Sequence, residues 1–422
     1  SDAELPPPKE KGSCVPAKAW HSFNPVNCNS FHEIETGSDG HRIKFLGRGA
    51  QRDAWVHEGK DAVATDRVIL KTLRWEKCYS EQNFDNQRKD ALVLERLASS
   101  PHVIDVFGFC GMSTFNEFAG GSGNFAEYLK KHKKTEPKDL LALAKNVSIG
   151  LADVHDIGIH DEVAEGDVPG LPQDLGTVVN HDFLPMNLLL TDDHQVKLSD
   201  FNQAQLLMWD VEKNQSCGYW WKNKDKHCGS TVWSGVGSPE ECAGDHVGGV
   251  DDRVNTVTQK AEVYHLGFLL HFLLSKDLWP YISWPSVQKD GKQLFKIKGH
   301  DGDLYSKKEV AQEVRRLILK GEQPYLPPEV LNSTDPATKA ILRSRMLATT
   351  YDADKRPRAR DIANFLVEAA NYTPNKKEKT GRIAGQEDAP TGTSSQNEHG
   401  LHKLELVHIA KTGGTSMESA GK

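Results

Sequence analysis

The apolar residues of this chain change period once, and that change limits the possible fold more than any other feature. Up to residue 118 they alternate or run in short β-branched blocks, and from residue 125 they recur every three or four positions. The first block predicts strands at 41–46, 54–57, 68–71, 103–109 and 113–118. Gly47 and Gly49 mark a turn, and Val68-Ile69-Leu70-Lys71 reads as a central strand ending on a lysine. One amphipathic helix, 84–97, interrupts them, with Ala91, Leu92, Leu94 and Leu97 among charges. The second block predicts helices at 125–131, 139–155, 261–274, 308–319, 337–347 and 359–370. A β-rich part followed by a helical part is a two-lobed α+β arrangement. The implied organisation is a poorly ordered Pro/Lys/Ser/Asn-rich segment 1–35, a small lobe 36–118, a large lobe 119–372, a flexible linker 373–402 and a terminal segment 403–422.

Composition narrows the classes. The net charge of −7 across 422 residues, with no long Lys/Arg block, argues against nucleic-acid binding through phosphates. The longest apolar stretch, 266–274, is broken by His271 and too short to span a bilayer. The chain opens on Ser1, so the lack of a targeting segment says nothing about membrane or compartment. Seven cysteines without a C-x-x-C pair make a structural zinc site a poor fit, although Cys217, His227, Cys228 and Cys242 cluster loosely. Free buried thiols, or a disulfide between Cys217 and Cys228, remain as readings. Sequons at Asn146, Asn214, Asn332 and Asn371 lean towards a secretory compartment.

The chemistry concentrates in two short runs. The first is Asn180-His181-Asp182-Phe183-Leu184-Pro185-Met186-Asn187, and the second is Val196-Lys197-Leu198-Ser199-Asp200-Phe201. Upstream stand Gly47-Arg48-Gly49-Ala50-Gln51-Arg52 and Lys71, and downstream Ser238-Pro239-Glu240, Glu262-Val263-Tyr264-His265-Leu266-Gly267 and Lys355-Arg356-Pro357. In that order and at that spacing they resemble the protein kinase superfamily over residues 41–371. The resemblance implies an enzyme that uses ATP and Mg2+ to phosphorylate a protein or glycan hydroxyl. Asp182 would be the base, and Asn187 and Asp200 the oxygen ligands of the metal. Lys71 would grip phosphate, Asp90 would pair with it from the helix, and Gly47 and Gly49 would let backbone approach the nucleotide. Glu240 and Arg356 would form a buried ion pair.

The run also departs from the family pattern. Arg52 stands where a third glycine is usual and is expected to face solvent. Asp90 replaces a glutamate and is one methylene shorter, so its pair with Lys71 needs a closer helix or a water. Asn202 replaces the glycine after Asp200-Phe201, which asparagine tolerates in a left-handed backbone. Leu184 replaces a lysine that neutralises the γ-phosphate, and His181 replaces an arginine that reads a phosphorylated activation segment. An acidic Gly/Pro-rich insertion, 161–175, reads as a surface excursion or a substrate contact. The Trp- and Cys-rich region around Trp209, Trp220, Trp221 and Trp233 is similar to secretory-pathway protein-O-mannose kinases, which act on sugar.

At the far end, Leu406-Val407-His408-Ile409-Ala410-Lys411-Thr412-Gly413-Gly414-Thr415-Ser416 resembles the first strand and phosphosulfate loop of Golgi-type sulfotransferases. Twenty residues cannot bury a core, so this segment should bind 3′-phosphoadenosine 5′-phosphosulfate (PAPS) only in a longer parent chain. Three readings follow: a phosphotransferase, a nucleotide-binding pseudokinase scaffold, and a kinase-like accessory to a sulfotransferase. The localisation lean is towards the secretory pathway or Golgi lumen.

Overall fold

The computed structural model describes residues 14–22, 43–49, 51–57, 67–120, 123–159, 167–172, 176–217, 237–243, 258–289, 292–300 and 303–372. The chain divides into two units, Ser1–Tyr372 and Thr373–Lys422, and every described residue belongs to the first. The linker, the sulfotransferase-like segment, His227, Cys228 and most of the Trp-rich region lie outside the described residues, as do 161–166 and 173–175 of the acidic insertion.

Strand β1 (Cys14–Pro16) precedes β2 (Ile43–Arg48), β3 (Arg52–His57), β4 (Val68–Leu73), β5 (Val106–Cys110) and β6 (Ser113–Glu117), with helix α1 (Glu81–Arg96) between β4 and β5. Strands β2 to β6 form one antiparallel sheet in the order β2-β3-β4-β6-β5. The β-branched run at 68–71 is therefore central, as its apolar content predicts. Helix α1 starts a turn earlier than its periodicity suggests, because the Ser80 hydroxyl accepts the Asn83 N–H at 3.2 Å and caps it. Its inner face buries Ala91, Leu92, Val93 and Leu94, together with the carboxylate of Asp90.

Beyond the sheet the chain is mainly helical. Helices α2 (Phe125–Lys131) and α3 (Pro137–His155) lead into the short strands β7 (Val178–Val179), β8 (Leu188–Leu190), β9 (Val196–Leu198), β10 (Gln205–Leu206), β11 (Met208–Asp210) and β12 (Gln215–Ser216). Helices α4 (Pro239–Ala243) and α5 (Gln259–Ser275) follow, then strands β13 (Ile282–Lys289) and β14 (Lys292–Ile297), and then α6 (Lys307–Leu319), α7 (Pro328–Leu331), α8 (Pro336–Ala348) and α9 (Ala359–Asn371). Leu143, Val147 and Leu151 of α3 share one core with Leu266 and Leu270 of α5, Ile341 of α8, and Ile362 and Leu366 of α9. Each such side chain contributes about 1.5–3 kcal/mol by leaving water. Gly267 permits the closest crossing: a Cβ there would lie 2.4 Å from Thr349 Cγ2. The described residues are thus mixed α+β.

Two parts differ from expectation. Residues 14–22 lie in the segment read as poorly ordered, yet β1 pairs antiparallel with β11, Cys14 opposite Asp210. Trp20 enters the main core, and Lys18 pairs with Asp167 of the acidic insertion at 3.3 Å. That order is imposed by partners about 150 to 200 residues away, which no local pattern reports. The hairpin of β13 and β14 also carried no strand signal, because Pro285 sits within the run. It closes a second core with α6, in which Phe295 and Ile297 meet Val310, Val314 and Leu317.

Candidate functional site

The loop 180–187 is held from below by one carboxylate. Glu262, fully buried in the first turn of α5, accepts the backbone N–H groups of Asn180 and His181 at 3.0 Å each. His155 of α3 fixes the same carboxylate at 2.9 Å. These bonds hold His181 at φ 63, a left-handed conformation that costs a non-glycine residue on the order of 1 kcal/mol. A charge inside the apolar helix 261–274 is the sequence signal for this role of Glu262.

Asn187 closes the loop. Its Nδ2 donates to Asp182 Oδ2 at 2.8 Å and to the Asp182 carbonyl at 2.9 Å. Among the described residues the amide oxygen of Asn187 has no protein donor. The hairpin of β8 and β9, with Leu188 opposite Leu198, then folds the chain back so that Ser199 N–H meets the Asn187 carbonyl at 2.9 Å. Asp200 follows directly, at φ 66. The two runs singled out from the sequence are therefore brought together by one tight hairpin. Asn202 is not among the described residues with positive φ; Asp200, two residues earlier, takes that conformation.

The carboxylates answer to one another. Burial, and next the charge of Asp200, push the Asp182 carboxyl up to about 6, against a lowering by the Asn187 amide. That value suits a group that must accept a proton near neutral pH.

The basic side differs from expectation. Asp90 does not pair with Lys71. Its Oδ2 takes Arg52 Nη1 at 2.7 Å, and its Oδ1 takes the Phe201 N–H at 2.7 Å. Arg52 is buried, not solvent-facing: Nη1 also reaches Gln87 Oε1 at 2.8 Å, and Nη2 reaches Asp200 Oδ1 at 2.7 Å. The register explains this. Ala54 of β3 lies opposite Lys71 of β4, so Arg52, two residues from Ala54, shares its face of the sheet and is a diagonal neighbour of Lys71. A shortened carboxylate at position 90 leaves room for the longer guanidinium, whose fork spans two acceptors. Lys71 makes no ion pair among the described residues, and burial together with the Arg52 charge lowers its pKa.

The other predicted residues fall as follows. Gly49 N–H bonds back to the Arg52 carbonyl at 2.8 Å; Gly47, near the end of β2, is half-buried and Gly49, just past it, is exposed. A Cβ at Gly47 would meet nothing within 4 Å, so no steric need for glycine is visible there. Leu184 is half-buried beside the loop and outside the cores. Glu240 and Arg356 form the expected pair, at 2.6 and 3.1 Å. No protein-family model matches the chain, and no curated protein matches it.

The donor set suits a hard divalent cation. Among the described residues Asp200 keeps Oδ2 without a protein donor, Asn187 keeps Oδ1, and Asp182 supplies a third oxygen-bearing side chain nearby. Asp200 and Asn187 would hold such an ion. The surface cavity lined by Asp277, Lys298, His300 and Tyr325 contains none of these residues.

Proposed function

We propose that the chain is an ATP- and magnesium-dependent phosphotransferase of the two-lobed kinase type, moving the γ-phosphoryl group to a hydroxyl of a protein or glycan. The observation that carries this reading is the junction of 180–187 with 199–201. There a carboxylate raised to about 6 takes the Asn187 amide N–H and feels the charge of Asp200, and among the described residues Asn187 Oδ1 and Asp200 Oδ2 have no protein donor. Asp182 takes the proton of the attacking hydroxyl, and Asn187 holds that carboxylate in place. Asn187 and Asp200 would hold the metal, which would supply charge neutralisation at the phosphates. Lys71, half-buried and without an ion pair among the described residues, is the cation left for the phosphate oxygens. Glu262 keeps the base presented.

Cys110, Cys217 and Cys242 are disulfide-bonded, and Cys78 is free and exposed. Disulfides persist in oxidising compartments, which favours the secretory pathway over the cytosol as the setting. The sequon residues Asn214, Asn332 and Asn371 are exposed, whereas Asn146 is buried and bonded to Gln195 at 2.8 Å. Among the described residues no helix is long and apolar enough to cross a membrane.

Binding is tested by thermal unfolding with ATP and magnesium. At a hundredfold excess over Kd a ligand specific to the folded chain adds about 2.7 kcal/mol. Lys71→Met is expected to abolish most of that gain, and equal stabilisation of both proteins would remove Lys71 from the site. Leu184→Lys is expected to raise transfer roughly tenfold, since it returns a cation to the loop beside Asp182 where charge develops. An unchanged rate would show that the missing charge does not limit transfer.

A further inference from the structure

Arg52, Asp90, Phe201 and Asp200 close a ring. Arg52 Nη2 holds Asp200 Oδ1 at 2.7 Å, the next residue's N–H, that of Phe201, enters Asp90 Oδ1 at 2.7 Å, and Asp90 Oδ2 returns to Arg52 Nη1 at 2.7 Å. Arg52 is 6% exposed, Asp90 0% and Phe201 0%, while the Asp200 side chain is 33% exposed. The ring is thus dry on three sides and open only where Asp200 faces outwards. It also encloses the strained φ 66 of Asp200.

We infer that Arg52 is a positioning residue that orients Asp200 for the divalent cation, and that it has taken over the carboxylate-pairing role expected of Lys71, leaving Lys71 to phosphate alone. This rests on the phosphotransferase reading for its ligands, but the ring itself does not. With Oδ1 tied to the guanidinium, Asp200 can present only Oδ2, so the carboxylate is aimed before any ion arrives. A lysine at 52 has one point charge and cannot serve both carboxylates in a fixed plane. Cation duties that one residue would have to share are divided here between Arg52 for the carboxylates and Lys71 for the nucleotide. Burial, and next the Arg52 charge, lower the Lys71 pKa.

The test uses Arg52→Lys, which keeps a cation beside the buried Asp90, and Arg52→Gln combined with Asp90→Asn, which removes both charges together. Two quantities are read. One is hydrogen exchange at the Phe201 amide in the chain without ligand. The other is the magnesium concentration giving half-maximal thermal stabilisation by ATP, set against ATP with chelator. In Arg52→Lys the Phe201 amide is expected to exchange at least tenfold faster and the magnesium requirement to rise at least tenfold. Its response to ATP in chelator should stay that of the wild type. Lys71→Met should give the reverse pattern, with unchanged exchange and a lost nucleotide response. The double variant should repeat the raised magnesium requirement. Wild-type exchange and wild-type magnesium dependence in Arg52→Lys would overturn the inference. So would a lowered magnesium requirement, which would make Arg52 a competitor of the cation. If the wild type ignores ATP altogether, the phosphotransferase reading fails, and the Phe201 exchange still decides whether the ring exists.

Discussion

Asp182→Asn is expected to lower phosphoryl transfer about a thousandfold while leaving nucleotide binding nearly unchanged and making the fold more stable at neutral pH. The loss follows from removing the base, a role worth roughly 10²–10⁴ in rate. Nucleotide binding should survive because the role proposed for Asp182 is on the acceptor and not on the phosphates. The gain in stability follows from burial and the nearby Asp200 charge, which hold the Asp182 carboxyl at about 6 when its ordinary value is 3.8. A carboxyl raised on folding contributes stability that is fully present below about pH 3.8 and is lost as pH rises through about 6. Above that the ionised group opposes folding, by roughly 1–2 kcal/mol once its partial contact with water is allowed for. Asparagine removes that opposition. In the wild type, transfer should climb with pH through about 6 and then level off. Transfer that persists in the variant, or a pH profile that falls across this range, would make Asp182 a structural residue.

Arg356→Ala is expected to destabilise the fold by about 3–5 kcal/mol, the usual result of stripping one partner from a buried ion pair. The guanidinium is fully buried, holds Glu240 at 2.6 and 3.1 Å, and donates to the carbonyls of Thr350 and Tyr351 at 2.9 and 3.3 Å and to that of Lys260. It also lies 4.9 Å from the centre of the Tyr264 ring. One side chain therefore ties α4, the start of α5 and the turn before α9 together. Its loss leaves a carboxylate and several carbonyls without donors. Against a total of about 5–15 kcal/mol the chain should melt on the order of 10 °C lower. Lys355→Ala next to it, whose side chain is 79% exposed in its pair with Asp352, should change the midpoint by less than 1 °C, on the scale of a surface pair. Equal small shifts in both would show that the Arg356 cluster does not hold these helices.

The longer helices were legible from their apolar runs, whereas the short ones Pro239–Ala243 and Pro328–Leu331 were not. The period placed 125–131 at its observed bounds, and Pro336 with Asp335 marks the start of α8. The loop residues Asp182, Asn187 and Asp200 were legible because a single short hairpin joins their two runs, so sequence proximity and spatial proximity coincide. What remained hidden depends on distant partners. Arg52 gives no local sign of its partners, since Asp90 lies 38 residues on and Asp200 148. The strand alternation that puts Arg52 on the face of Lys71 was available in the sequence. The choice between the two cations was not, because it depends on how closely α1 lies against β3. Strand β1 was hidden for the same reason, its partner Met208–Asp210 coming nearly 200 residues later.

The most direct measurement is transfer of labelled γ-phosphate from ATP, with magnesium, to a mixed panel of proteins and glycans, run side by side with wild type and Asp182→Asn. The phosphotransferase account predicts label on an acceptor hydroxyl with the wild type and none with the variant. No label from the wild type on any acceptor, or equal label from both, would contradict it.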